Sequence, residues 1–366
     1  MPTESRVAKK DITWEQIFEA NALEIEAFKE DLGKITTSWL DWGGDVDNIA
    51  MRGLRPGKIA VLAGLPNGGK STCIISWMMS LLSVDEERGE EAKEKNAGVR
   101  ILDFSLDDPK DARFVQLASC ISSRPYYECE NPDLCDREAP SPRNRARVLA
   151  AHAKVAELWA TGRLVTFQRT ENFKFRTPLR TVSMEPGELV EMLRIVESFR
   201  NKYPDDKIVV FLDALNDFRL EGWEYRPEIE RQKEVLGRLM SKATDYKVLF
   251  VATAHQNKSE QDGSPNFDMN KIKGSMDLQY GAHWVGGLWN DKKFRGNASK
   301  LQTYWKNPRT GEQSFCPIIR VSVAKSKVSG YSDCLYYVME PDVCRLYPGD
   351  EALYAEARGL EKEAVK

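Results

Sequence analysis

Residues 64–72 read Gly-Leu-Pro-Asn-Gly-Gly-Lys-Ser-Thr, with Gly64, Gly69, Lys70 and Ser71 in the fixed places of a G-x-x-x-x-G-K-S phosphate loop. Each residue type there has a chemical reason. Bare glycine backbone lets successive N–H groups curl around the β- and γ-phosphates of a nucleotide. Lys70 adds a point charge, and the Ser71 hydroxyl is a ligand for magnesium. Leu65, Pro66, Asn67, Gly68 and Thr72 complete the expected cradle, so ATP and Mg2+ are the expected cofactors.

Three further groups could join that chemistry. Asp213 ends the apolar run Lys207–Asp213, and a carboxylate at the C-terminal end of a buried strand sits where open α/β sheets bind ligands. There it would share the metal with Ser71. Asp107, in Phe104-Ser105-Leu106-Asp107-Asp108, is placed to polarise a water attacking the γ-phosphate. Asp108, directly before Pro109, reads instead as a helix cap. His255 opens the polar cluster His255-Gln256-Asn257 after a strand expected to end at Thr253, and is a candidate γ-phosphate sensor.

The elements needed to position these groups are legible. Lys58–Ala63 is a short apolar run after Pro56-Gly57 and reads as a buried strand. Ser71–Leu82 is apolar nearly all round, as a core helix would be, so the loop lies between strand and helix and the anion at a helix N-terminus. Strands are expected at 99–104, 164–167, 207–213, 247–253, 284–289, 318–324 and 334–339. Helices are expected at 108–121, 145–160, 186–201 and 228–244. Residues 85–95 read as a charged connection, and residues 124–145, rich in Pro, Arg, Asp and Glu, as an irregular surface insertion. Strands alternating with helices predict an α/β fold with a mainly parallel sheet covered on both faces.

Composition narrows the class. The chain has 366 residues, 42% hydrophobic and 30% charged, with a formal net charge of −3. No apolar run approaches the ~20 residues of a membrane span, and the first residues carry no apolar signal core, so a cytoplasmic protein with no membrane partner is expected. Seven cysteines without a C-x-x-C pair, and three histidines, point to reduced buried thiols rather than zinc ligands. From Asp291 to Lys327 nine cations stand against Asp291 and Glu312, with Phe294, Tyr304 and Trp305 among them. That mixture suits a phosphate backbone with stacked bases, or a plain solvated basic face.

In order and spacing these pieces resemble the RecA-like motor domain of DnaB-type replicative helicases and bacteriophage primase-helicases, over roughly residues 36–340. "GLRPGKIAVLAGLPNGGKST" is similar to the family's leading strand and Walker A loop, and "ILDFSLDD" to the strand whose acid is the general base. "IVVFLDALND" resembles the Walker B segment and puts Asn216 at the polar position after the aspartate. "VATAHQNK" resembles the sensor strand, with His255 at the sensor position. "KIKGSMDLQYGAHWV" resembles the G-S segment, and "VAKSKVSG" the K-x-R element that reaches a neighbour's nucleotide. The resemblance thus implies a trans-acting role for Lys325 and Lys327. Two positions depart from the pattern: Asp107 stands where the family has Glu, and Lys327 where it has Arg.

Apolar residues at roughly helical spacing over 12–32 predict an amphipathic helical N-terminal segment within residues 1–55, ahead of a motor expected over 56–348 and a C-terminal tail over 349–366. The resemblance implies an ATP-driven ring, expected to be a homohexamer, that translocates on single-stranded DNA in replication. The loops 218–226 and 258–273 would line its channel, and a primase or loader would be its partner. A bacterial, phage or mobile-element source is the expectation. Two other readings stand beside it. One is a RecA-like regulatory or recombination ATPase that assembles on ATP without unwinding. The other is a small-molecule kinase, which would need a lid from residues 124–145.

Overall fold

A computed structural model describes residues 40–84, 89–106, 111–136, 142–169, 175–176, 189–218, 220, 227–256, 281–340 and 342–364. In chain order the elements are α1 (Asp45–Ala50), β1 (Ile59–Gly64), α2 (Lys70–Leu81), α3 (Glu90–Lys95), β2 (Val99–Ser105), α4 (Ala112–Ser122), α5 (Tyr126–Glu130), α6 (Pro142–Ala160), β3 (Leu164–Arg169) and β4 (Phe175–Arg176). There follow α7 (Leu189–Lys202), β5 (Lys207–Asp213), α8 (Glu228–Asp245), β6 (Leu249–His255), β7 (Trp284–Asn290), α9 (Asp291–Arg295), β8 (Gln302–Lys306), β9 (Gln313–Ser326), β10 (Cys334–Met339), β11 (Leu346–Pro348) and α10 (Glu351–Ala364). The sheet order is β11-β10-β9-β7-β1-β6-β5-β2-β3-β4, with β8 paired to β9. β7, β1, β6, β5, β2 and β3 run parallel, while β9, β10 and β11 extend the sheet antiparallel.

The continuous apolar runs are explained by two cores. Side chains alternate across a strand, so Ala60 and Leu62 of β1 join Phe211, Val251 and helix α2 on one face. Ile59, Val61 and Ala63 join Val210, Phe250 and helices α7 and α8 on the other. A strand covered on both faces has no polar side, which is why these segments read as unbroken hydrophobic stretches. Helix α2 is buried along nearly its whole length, under the sheet and behind α4. Leu40, Trp42, Ala50, Met51 and Leu54 are buried in that same core, so the chain ahead of β1 is part of its packing. The amphipathic stretch 12–32 lies outside the described residues.

Several expectations need correction. Residues 90–95 form α3 where only a connection was expected. The 124–145 insertion is not irregular throughout. Arg124 donates to both carboxylate oxygens of Glu128 at 2.8 and 2.7 Å and reaches Glu312 at 3.1 Å, fixing α5 and a 3-10 turn, Pro132–Asp136. Cys129 and Cys135 pack with Val115 and Val148, so this segment is a structured flank rather than a lid. The strand expected to end at Thr253 continues to His255, because Gly64 of β1 pairs with that residue. Residues 351–364, in the segment read as a tail, form α10, whose Leu353, Tyr354 and Ala357 pack on β10. All seven cysteines are free thiols. Among the described residues no helix is long and apolar enough to cross a membrane.

Trp77 of α2 stands edge-on between Trp42 (ring centroids 5.9 Å apart) and Trp284 of β7 (6.0 Å), joining the pre-β1 segment, the helix and the sheet. Removing a buried tryptophan loses both transfer energy and packing, so Trp77→Ala is expected to destabilise the fold by roughly 3–5 kcal/mol. The check is a shift of the urea midpoint at unchanged m-value; an unmoved midpoint would contradict this packing role.

Candidate active site

Strand β1 delivers the phosphate loop to the edge of the sheet. Gly64 is pressed on two sides: a Cβ there would lie 3.2 Å from the Leu288 carbonyl and 3.3 Å from Lys70 Cγ. The loop then turns through left-handed conformations at Asn67 (φ 58°) and Gly69 (φ 104°), with Gly68 N–H donating to the Leu65 carbonyl at 3.2 Å. Gly69 is also the N-cap of α2 and offers no side chain to its first-turn N–H groups. A helix start of that kind favours an anion through both its amides and its dipole. Lys70 is 6% exposed, and its ammonium donates to the carbonyls of Gly64 (3.1 Å) and Leu65 (2.9 Å). The charge is therefore held over the loop, with Ser71 and Thr72 following on the first turn of α2.

Neighbouring strand ends meet the loop. Gly64 lies opposite His255, and Ser105 opposite Asp213. The Gln256 N–H donates to the Gly64 carbonyl at 3.2 Å, so the end of β6 is bonded to the phosphate loop. Asn216, in the short 3-10 turn after β5, accepts from the His255 N–H at 2.9 Å. Thus the loop, Asn216 and His255 are laced together. The Asp213–Ala214 peptide is cis. The Leu106 N–H donates to the Asp213 carbonyl at 2.6 Å, which brings the end of β2 to the same rim. Asp107, Asp108 and Asn257 lie outside the described residues. So do the G-S pair and most of the two expected channel loops; Phe218 and Leu220, which are described, are buried in the core.

The side chain of Asp213 is 3% exposed but well supplied with partners. Thr253 Oγ1 donates to its Oδ1 at 2.6 Å, and Arg113 Nη2 lies 3.4 Å from Oδ2. Arg113 in turn grips Asp103 through two bonds, at 3.0 and 3.2 Å, and both of these side chains are fully buried. Two carboxylates thus share one guanidinium near the loop. Hydroxyl and carboxylate oxygens are the donors a hard cation prefers, so Ser71 and Asp213 fit magnesium in chemical type. Thr253, Arg113 and Asp103 were missed from sequence. The one available signal was a charged Asp103 inside the apolar run of β2.

Lys325 and Lys327 are elsewhere. Lys325 pairs with Val285, and the Lys327 N–H donates to the His283 carbonyl at 2.9 Å. His283 N–H donates to the Ile59 carbonyl, so the pair lies at the start of β1, not at its end. Five strand steps, roughly 17 Å, separate that level from Gly64. The lysines thus share no site with their own Lys70. They do lie together: burial, then the nearby Lys327 charge, pushes Lys325 down to about 8. His283 is pushed down to about 4 by burial and by Lys58, Lys327 and Lys325.

Two outcomes follow. Replacing Arg113 by methionine takes the guanidinium away from two buried carboxylates, and a loss of roughly 3–5 kcal/mol in urea unfolding is expected. For Lys325, the folded-state pKa lies below the ordinary value of 10.5, so its charge opposes folding below about pH 8 and the penalty fades between 8 and 10.5. Lys325→Met should therefore raise the melting temperature at pH 7, with the difference from wild type vanishing above about pH 10.5. A lower melting temperature at pH 7 would contradict this account.

No family model and no curated protein matches the chain. Solved structures do match. A DnaB-like replicative helicase, solved in a study of its interactions with primase, aligns with a TM-score of 0.63 at 14% identity, over 94% of this chain and 69% of that one. The ATPase domain of a phage DnaB-like helicase aligns with a TM-score of 0.62 at 14% identity, over 91% of this chain and 99% of that one. With its mostly parallel sheet, covered faces and phosphate loop after β1, the chain has the RecA-like α/β fold of the DnaB-like helicase ATPase domain.

Proposed function

We propose that this protein hydrolyses ATP in an assembly of its own copies and uses the cycle to move along single-stranded DNA as a helicase. The observation that carries the reading is the opposition of the two charged sites. The phosphate loop is at one edge of the sheet, while Lys325 and Lys327 cluster at the other. A cation pair that cannot reach its own nucleotide fits one bound by the next copy around a ring, and the fold is that of a DnaB-like helicase ATPase domain.

In this reading the loop backbone and Lys70 bind the β- and γ-phosphates and hold the transferring group in line. Ser71 and Asp213 hold magnesium, which neutralises charge on the phosphate oxygens when bound. Thr253 and Arg113 orient Asp213 for that task. Asp107 is assigned as the base toward the attacking water. His255 and Asn216 sense the γ-phosphate: a shift there passes through the hydrogen bond between them to the loop that follows β6. Lys325 and Lys327 stabilise the developing charge from the neighbouring copy. A primase or a loader is the proposed partner, and a hexameric ring the proposed assembly.

The test combines two variants. Lys70→Ala is expected to abolish hydrolysis with the fold intact. An arginine acting in trans contributes on the order of 10³-fold or more to turnover, and loss of Lys327 should cost no more than that. Mixing Lys327→Ala with Lys70→Ala protomers should restore activity at interfaces where an intact Lys327 faces an intact Lys70. Wild-type turnover by assembled Lys327→Ala alone would end the trans assignment. Stimulation by single-stranded DNA and separation of a forked duplex test the motor itself. ATP-dependent assembly without strand separation would favour the RecA-like regulatory ATPase, a reading to which a lysine at the arginine position lends support.

A further inference from the structure

The hairpin of β8 and β9 carries a surface that none of this chemistry uses. Its register pairs Gln302 with Pro317, Tyr304 with Phe315 and Lys306 with Gln313, so the period of two sets these six residues on one face. The opposite face is anchored. Thr303 Oγ1 donates to Glu356 of α10 at 2.9 Å, Cys316 is fully buried, and the Trp305 ring packs 4.4 Å from that of Tyr347. The front is open: Tyr304 is 75% exposed, the most of any large apolar residue described, and Phe315 is 55% exposed. Their rings are 6.2 Å apart, held side by side on adjacent strands.

Charge decides what suits that face. Of its six residues only Lys306 is charged, and it is exposed. The carboxylate of the connecting turn, Glu312, is engaged by Arg124 at 3.1 Å. Two neighbouring exposed rings with a cation beside them and two amides around them form a stacking platform for unpaired bases, the arrangement by which aromatic residues on adjacent sheet strands bind single-stranded nucleic acid. As the core of a protein interface the patch is small, since stable interfaces bury roughly 800 Å² per partner around a larger apolar centre. Its position adds a reason. β7 ends where Asn290 pairs with Ile319, and the hairpin continues beyond that pair, on the edge of the sheet where Gly64 meets Leu288.

We propose that this hairpin face binds single-stranded nucleic acid, with bases stacked on Tyr304 and Phe315 and a backbone phosphate on Lys306. The site is made of residues other than those of the loops after Asp213 and Asn257 and does not depend on their lining a channel. Fluorescein-labelled oligothymidylate and oligouridylate, titrated with the full chain at fixed salt, test it and distinguish DNA from RNA. The double variant Tyr304→Ala with Phe315→Ala, its fold checked by circular dichroism and melting temperature, should bind the preferred oligomer tenfold or more weakly. The exchange of Tyr304→Phe with Phe315→Tyr keeps both rings and should restore wild-type affinity. An oligomer carrying one 5-iodouracil should photo-crosslink to Tyr304 or Phe315. Unchanged affinity in the alanine double variant overturns the proposal. So does a loss of binding accompanied by a fall in assembly mass in light scattering, which would make this face a contact between copies. If DNA-stimulated hydrolysis fails while the crosslink forms, it is the motor reading that falls.

Discussion

Gly64 lies opposite His255 and Ser105 opposite Asp213 because the alternate residues of β1, β6, β5 and β2 must fill two different cores. Sliding any of these strands by one residue would turn its whole set of side chains to the wrong face. Packing on both sides therefore fixes the level at which each strand ends, and with it the level of the phosphate loop, Asp213 and His255. The loops need little rigidity of their own. The Gln256 N–H on the Gly64 carbonyl and Asn216 on the His255 N–H join ends already brought together by the sheet. Such an arrangement lets a small change at one end be felt at the next, since the intervening contacts are hydrogen bonds between rigid strand termini.

The same rim carries buried charges. Arg113 and Asp103 are fully buried, and Asp213 nearly so. Burying an ion pair is seldom a net gain over well-packed apolar residues, so its presence calls for a reason other than stability. Geometry supplies one. With Thr253 on one oxygen and Arg113 near the other, the Asp213 carboxylate cannot rotate freely. Asp103 takes two of the guanidinium's hydrogen bonds and moderates its charge beside Asp213. In the proposed function this division would make Asp103 and Arg113 supporting parts, acting through Asp213 rather than on a nucleotide.

How much of this was legible depends on whether the signal was local. The G-x-x-x-x-G-K-S spacing, the run Lys207–Asp213 and the strand Cys334–Met339 are local, and the structure has a strand over the last two with the same bounds. Non-local features were invisible. His255 looked like a residue after a strand because only the partner Gly64 extends β6 that far. Arg124 looked like part of a polar loop because its partners, Glu128 and Glu312, are four and 188 residues away. β8 escaped notice because Gln302–Lys306 has one face open to solvent and a polar residue, Thr303, on the other. Asp103 could be seen as odd, but nothing in the sequence joined it to Arg113.

In the proposed assembly the lysine cluster at the far edge would meet its anion on a neighbouring copy. Burial and mutual repulsion push down Lys325 and His283, and burial with Arg55 and Lys327 nearby lowers Lys58, so the fold holds like charges together where single cations would be less costly. Perturbed groups gathered at one place mark a candidate functional site. A polyanion brought to this edge would reverse the sign of the interaction, turning repulsion into attraction for Lys325 and Lys327 at once. In that case the free energy held in the isolated protomer would become a contribution to association, present only with the anion bound. In the proposed assembly that reversal would link association to nucleotide occupancy, as two binding events sharing one coupling energy must be.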